Sequence, residues 1–144
     1  MTENGDVRVR DATVAELPDV LNVLDGAALR TDSGRLRAAI DRGEVLVAVA
    51  GPDERRVLGA LVLDGEEITA VAVRPRRRGQ GIGTELVEAA AERRDRLVAE
   101  FHPRVRPFWA AVGFDAVPVE GDDATHEGTA DRLRGVRTTD ADDA

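Results

Sequence analysis

The chain has 144 residues, enough for one domain with a sizeable core, and its 42% hydrophobic content is ordinary for a globular protein. All 20 basic residues are arginine against 28 acids, and the resulting formal net charge of −8 repels nucleic acid and acidic membrane surfaces. With no cysteine, a disulfide, a thiolate nucleophile and a cysteine-held metal are all excluded, and His102 and His126 stand too far apart in the chain for a local ligand pair, so no metal is expected.

The polar start Met1-Thr2-Glu3-Asn4-Gly5-Asp6 does not read as a signal peptide. No apolar run approaches the roughly 20 residues that span a membrane, and the expectation is a cytoplasmic protein. Missing lysine and an excess of acid fit either a GC-rich coding bias or a salt-rich cytoplasm. Salt adaptation is the better reading, because coding bias explains the arginines but not the acids, and at molar salt a Debye length of about 3 Å screens the self-repulsion.

Residues 7–10 alternate as a strand does. Thr13 is placed to cap a helix whose apolar positions Leu17, Val20, Leu21 and Leu24 follow helical spacing. A second helix is expected over 33–41, with Leu36, Ala39 and Ile40 on one face and Gly43 at its end. Three strands follow at 45–50, 57–63 and 68–73. Gly51-Pro52-Asp53 and Asp64-Gly65 join them, and such short turns predict an antiparallel meander.

The third of these strands runs into Arg74-Pro75-Arg76-Arg77-Arg78-Gly79-Gln80-Gly81-Ile82-Gly83-Thr84. Three glycines in five positions let backbone approach a ligand with no Cβ between, and the helix that follows turns its first amides back into the loop. The helix start and the arginines at 76–78 favour a phosphate or pyrophosphate there. A P-loop needs Gly-Lys-Ser/Thr, and the chain has no lysine; a dinucleotide fingerprint G-x-G-x-x-G meets Thr84 or Leu86 in its last place. Arg78-x-x-Gly81-x-Gly83 directly after a strand remains.

The helix after this turn would bury Ile82, Leu86, Val87 and Ala90 and expose Glu85, Glu88 and Glu92. A strand is expected at 97–101, a short helix around 108–112, a strand at 114–119 and a weaker last strand near 132–136. Residues 121–129 read as a loop. The acidic, apolar-poor stretch 138–144 reads as a solvated tail, which sets the domain at 5–137.

The turn at 78–84 resembles that of the GNAT superfamily of acyl-CoA-dependent N-acyltransferases. Pro107-Phe108-Trp109-Ala110-Ala111-Val112-Gly113-Phe114 is similar to the family's later signature, in which an aromatic pair, three residues and Gly-Phe end a short helix and begin a strand. Taken singly, each block has a structural reading, a tight strand-to-helix turn and a glycine C-cap. Together, in this order and at this distance, they point to coenzyme A.

The resemblance implies an α+β fold: a mixed, mostly antiparallel sheet of six to seven strands, splayed between the fourth and fifth and flanked by about four helices. It implies acetyl-CoA as cosubstrate, with the backbone at Arg78, Gly79, Gln80, Gly81, Ile82, Gly83 and Thr84 on its pyrophosphate. Val71 and Val73 would pair with the pantetheine arm, Val73 near the carbonyl, and Trp109 would lie at the cofactor. The acceptor, a small molecule or a protein amine, stays open, as does a homodimer.

Transfer to an amine needs a neutral nucleophile, a donor for the oxyanion and a proton for the departing thiolate. Direct attack in a ternary complex needs no covalent intermediate. The family often has a tyrosine where Trp109 stands, acting as acid to the thiolate. This chain has no tyrosine, and an indole N–H donates a hydrogen bond without titrating. Glu67, at the start of the fourth strand, and His102, after the fifth, are the catalytic candidates; the structural alternatives are a solvated strand-end acid and a loop histidine. A non-catalytic acyl-CoA-binding or partner-binding domain is the rival reading.

Overall fold

Val45, Val47 and Val49 alternate along one strand, and their pairing with neighbours builds the first of two compact units, residues 1–90 and 91–144. The structure, a computed structural model, describes residues 7–26, 32–51, 56–74, 80–101, 103–118 and 133–138. In the first unit β1 (Arg8–Asp11), β2 (Val45–Ala50), β3 (Arg56–Asp64) and β4 (Glu67–Val73) lie in that order, each antiparallel to the next. The expected meander is there, with each strand boundary within one residue of its expected place.

Every residue of β2 is buried, as is β3 apart from its two ends, so this sheet is covered on both faces. On one face Val45, Val47, Val49, Val57, Ala60, Val62 and Ala72 pack with Val20, Val23 and Leu24 of α1 (Leu17–Gly26) and with Leu36, Ala39 and Ile40 of α2 (Ser33–Asp41). Neither helix reaches the roughly 12–15 residues that hold together alone in water. Packing stabilises them instead, at about 1.5–3 kcal/mol for each fully buried leucine or valine. On the opposite face α3 (Ile82–Ala91) buries Ile82, Leu86, Val87 and Ala90 and leaves Glu85, Glu88 and Glu92 exposed.

Gly59 is where α3 comes closest to the sheet. A Cβ there would stand 2.9 Å from the Ala72 carbonyl oxygen, 3.2 Å from Leu86 Cδ1 and 3.3 Å from Ile82 Cγ2. Two bulges interrupt the ladders. Ala48 pairs Gly59 while Val49 pairs Val57, leaving Leu58 over, and Val62 pairs Ala70 while Leu63 pairs Ile68, leaving Thr69 over.

The helix starts are fixed by side chains. Thr13 opens a 3-10 turn (Val14–Glu16) before α1 begins, rather than the α-helix itself. Thr13 N–H donates to Glu16 Oε1 at 3.0 Å, and Arg10 on β1 donates to both carboxylate oxygens, at 2.9 and 2.6 Å. The Arg10 guanidinium holds the Glu16 carboxyl below the usual carboxylate range, against burial that pushes it up; Thr13 adds to the lowering. Asp32 caps α2 by accepting from Arg35 N–H, and Gly43 closes it, as expected, by donating to Ile40 O at 3.0 Å.

In the second unit β5 (Arg96–Phe101), β7 (Leu133–Thr138) and β6 (Asp115–Pro118) lie in the order β5-β7-β6, with β7 antiparallel to both neighbours. Gly135 in β7 leaves room for two aromatic rings: a Cβ there would stand 3.1 Å from Phe101 and 3.2 Å from Phe114. After a 3-10 turn (Pro103–Val105), α4 (Arg106–Ala111) ends on Gly113, whose N–H donates to Ala110 O, and Arg137 donates to Val112 O at 3.0 Å. Thr138 belongs to β7, opposite Arg96, and not to the tail where composition placed it; β5 supplies a ladder partner that composition does not reveal. The loop at 121–129 and residues 139–144 lie outside the described residues. With seven strands and four α-helices among the described residues, the fold is the α+β class that the sequence implied.

Candidate functional site

Val71 pairs Leu61 and Val73 pairs Gly59 before β4 gives way to Arg74, whose N–H donates to Leu58 O at 2.8 Å. Residues 75–79, and with them Arg78 and Gly79, lie outside the described residues. Gln80 and Gly81 are exposed at the start of α3. Gly81 has φ +86°, a conformation that disfavours side chains, and no heavy atom lies within 4 Å of where its Cβ would stand. Glu85 N–H donates to Gly81 O at 3.0 Å, so the amides of Ile82, Gly83 and Thr84 precede the first rung of the helical ladder.

An open glycine before unladdered amides at the positive end of a helix suits an anion. The Ile82 side chain is buried, so this residue offers a ligand its backbone alone, while Thr84 is exposed. The residues present thus fit a pyrophosphate held by backbone N–H groups.

Ile82 packs on Gly59, and Gly59 is the ladder partner of Val73, so the helix start stands beside the Val73 end of β4. Glu67 stands at the other end, exposed and opposite Asp64. At about 3.3 Å per residue the two are roughly 20 Å apart. One reacting carbonyl can therefore touch either Val73 or Glu67, not both.

His102 lies outside the described residues. Arg104 and Arg106 are exposed. Trp109 is 8% exposed and packs in a ring cluster of its own unit: stacked on Phe101 at 5.2 Å, and edge-on to Phe108 and Phe114 at 5.1 and 5.0 Å. Such a cluster stabilises beyond its burial by about 0.5–1.5 kcal/mol per pair. Among the described residues no group of three or more His, Cys, Asp or Glu is placed to hold a metal ion, and no helix is long and apolar enough to cross a membrane.

Two residues at the site escaped the sequence reading. Gly59, isolated in an apolar strand, carried the signal of close backbone approach. Arg74 carried none, since it merges with the arginine run.

Sequence comparison matches residues 41–116 to the acetyltransferase (GNAT) domain family. The chain belongs to the GNAT acetyltransferase family. The matched residues contain β2, β3, β4, the glycine turn, α3, β5 and α4. A sequence comparison with curated proteins finds no match.

Solved structures share the fold at low identity. A GCN5-related N-acetyltransferase from Kribbella flavida is 22% identical with a TM-score of 0.62; the match covers 77% of this chain and 33% of that one, so this chain spans about a third of its length. A GNAT-family acetyltransferase from Bacillus cereus is 14% identical with a TM-score of 0.71, covering 90% and 94%. Rv2747 from Mycobacterium tuberculosis, solved with coenzyme A, is 20% identical with a TM-score of 0.70, covering 91% and 98%.

Proposed function

We propose that this GNAT domain moves an acetyl group from acetyl-CoA to an amine acceptor by direct attack in a ternary complex. The observation that carries the reading is Gly81, left-handed and open, before the unladdered amides of α3. In this reading the backbone at 78–84 holds the pyrophosphate, and the pantetheine arm runs from there along β4. Val73, beside the helix start, would pair with the arm. Val71 would pair with the arm farther along β4, and Glu67 stands at the far end of that strand.

Glu67 then takes a proton from the acceptor's ammonium, directly or through water, so that the neutral amine attacks the thioester carbonyl and the C–S bond breaks, and His102 gives a proton to the departing thiolate. A thiol with a pKa near 8.5 leaves tolerably near neutrality, so an absent general acid slows transfer without abolishing it. The acceptor is a small-molecule or protein amine.

A second reading, a coenzyme A-binding domain without turnover, is favoured by one observation: Trp109 packs among three phenylalanines where the family often has its tyrosine, and the chain has no tyrosine. Thiol release from acetyl-CoA across a broad amine panel separates the two. The assay is run in molar potassium chloride, where the −8 charge is screened. Glu67→Gln or His102→Ala should lower kcat by about 10²–10⁴ if that residue moves a proton, with acetyl-CoA still bound, whereas Trp109→Tyr should keep or raise it. Tight coenzyme binding with no transfer to any amine, even from Trp109→Tyr, makes the non-catalytic reading correct.

A further inference from the structure

Arg74 opens the arginine-rich stretch that leads into the glycine turn, yet its hydrogen bonds go to protein. Its N–H donates to Leu58 O at 2.8 Å, its Nε to Val57 O at 2.8 Å, and its NH1 to Asn22 Oδ1 at 2.9 Å. Three elements meet on this one residue: the end of β4, the start of β3 and the exposed side of α1.

The place on β3 is not arbitrary. Val57 and Leu58 are the residues of the bulge, where Leu58 has no partner on β2 and the ladder is locally disrupted. Arg74 takes up the carbonyls of both, one through its backbone and one through its side chain. One residue further along, Gly59 pairs Val73 and receives Ile82 from the start of α3. The bulge, the end of β4 and the helix start are therefore neighbours, and Arg74 joins the first two.

We infer that Arg74 is a positioning residue for coenzyme A: it locks the exit of β4 to the β3 bulge and, through Asn22, to α1, and so fixes the strand end beside which the first amides of α3 stand. This rests on the coenzyme A reading above. Two of its three guanidinium nitrogens are engaged by protein acceptors, so it holds the end of β4 in place rather than offering its charge to a phosphate. Preformed sites bind more tightly because the ligand does not have to order them.

The chemistry makes a distinctive demand. A guanidinium is a rigid fork that can serve Val57 O and Asn22 Oδ1 at once, whereas an ammonium keeps the charge but is a single point of donation. A residue acting by charge is replaced adequately by lysine; one acting by its fork is not. Asn22, on the exposed side of α1, offers a second handle, since removing its side chain takes away one bond of the lock and leaves Arg74 in place.

The test is calorimetric titration of coenzyme A into the wild type, Asn22→Ala, Arg74→Lys and Arg74→Met, with acetyl-transfer kinetics beside it. Arg74→Met should weaken binding about tenfold or more, Arg74→Lys should recover little of that, and Asn22→Ala should weaken it a few-fold. Asn22→Ala added to Arg74→Met should cost nothing further, because the bond is already gone. KM for acetyl-CoA should rise while kcat at saturation holds. Full recovery by Arg74→Lys, an Asn22→Ala protein that binds as the wild type does, or variants that melt lower yet keep their affinity would each overturn the inference while leaving the functional reading intact. A wild type that binds no coenzyme A would overturn both.

Discussion

Gly59 and Gly81 are glycines for opposite reasons. At Gly59 a Cβ would run into the Ala72 carbonyl oxygen at 2.9 Å, with Leu86 and Ile82 close behind. At Gly81 it would meet nothing within 4 Å, yet the backbone stands at φ +86°. The first glycine makes room for the protein's own packing. The second stands at a bare surface before the unladdered amides of α3, where the backbone is open to a ligand. Empty space alone does not mark a site, since Gly43, Gly51 and Gly65 are left-handed and open as well; Gly81 differs in standing before the first amides of a helix.

Replacing Gly81 should produce the largest effect and should fall on binding. A valine there adds bulk where the pyrophosphate is expected and disturbs amides that would make charge-assisted bonds worth about 1.5–3 kcal/mol each. Coenzyme A affinity should drop by about 100-fold, equivalent to roughly 2.7 kcal/mol. The positive φ adds a strain of about 1–3 kcal/mol to folding, which Gly81→Ala carries as well and so controls for. Calorimetry on the two variants checks this, and an affinity unchanged in Gly81→Val would remove the turn from the site.

Gly59→Ala should come next, and its effect should fall on stability. Neither a backbone carbonyl nor a packed α3 yields easily, and overpacking of this kind costs about 1–3 kcal/mol. For a chain of this size that is a melting point lower by roughly 3–10 °C, with coenzyme A affinity of the folded protein changed by less than about threefold. A variant that melts normally but loses its ligand would break the contrast between the two glycines.

These two positions also mark what a reader of the sequence can and cannot see. The turn at Gly81 was legible because its pattern is local: strand, glycine turn and helix start follow one another in the chain. The meander and α2 were legible for the same reason, with Leu36, Ala39, Ile40 and Gly43 all within one helix and its cap. Arg74 was not, because its partner Asn22 lies 52 positions away, and no periodicity records that distance. Nor was the place of β7 between β5 and β6, or the inclusion of Thr138, since both depend on which strand supplies a free edge. Trp109 could be picked out, but its three ring neighbours come from β5, α4 and the residue before β6, and only folding gathers them.

The smallest effect is expected at Glu16. Its carboxyl is held below the ordinary value of 4.5 by Arg10, so the folded state keeps the charged form better than the unfolded chain does. The stability this pair contributes is therefore complete above the unfolded pKa, and it is lost as pH falls through the lower, folded value. The pair lies partly in solvent, with side-chain exposures of 32% for Arg10 and 15% for Glu16, so the contribution at neutral pH should stay within about 1 kcal/mol. Glu16→Gln should melt a few degrees below the wild type between pH 6 and 8, and the gap should narrow as pH falls below the ordinary value of 4.5 and the wild-type carboxyl takes up its proton. Because the variant differs only at this side chain, titration of the other acids cancels in the comparison. A gap that stays constant down to pH 3 would mean that Glu16 acts through the Thr13 turn alone, with its charge contributing nothing.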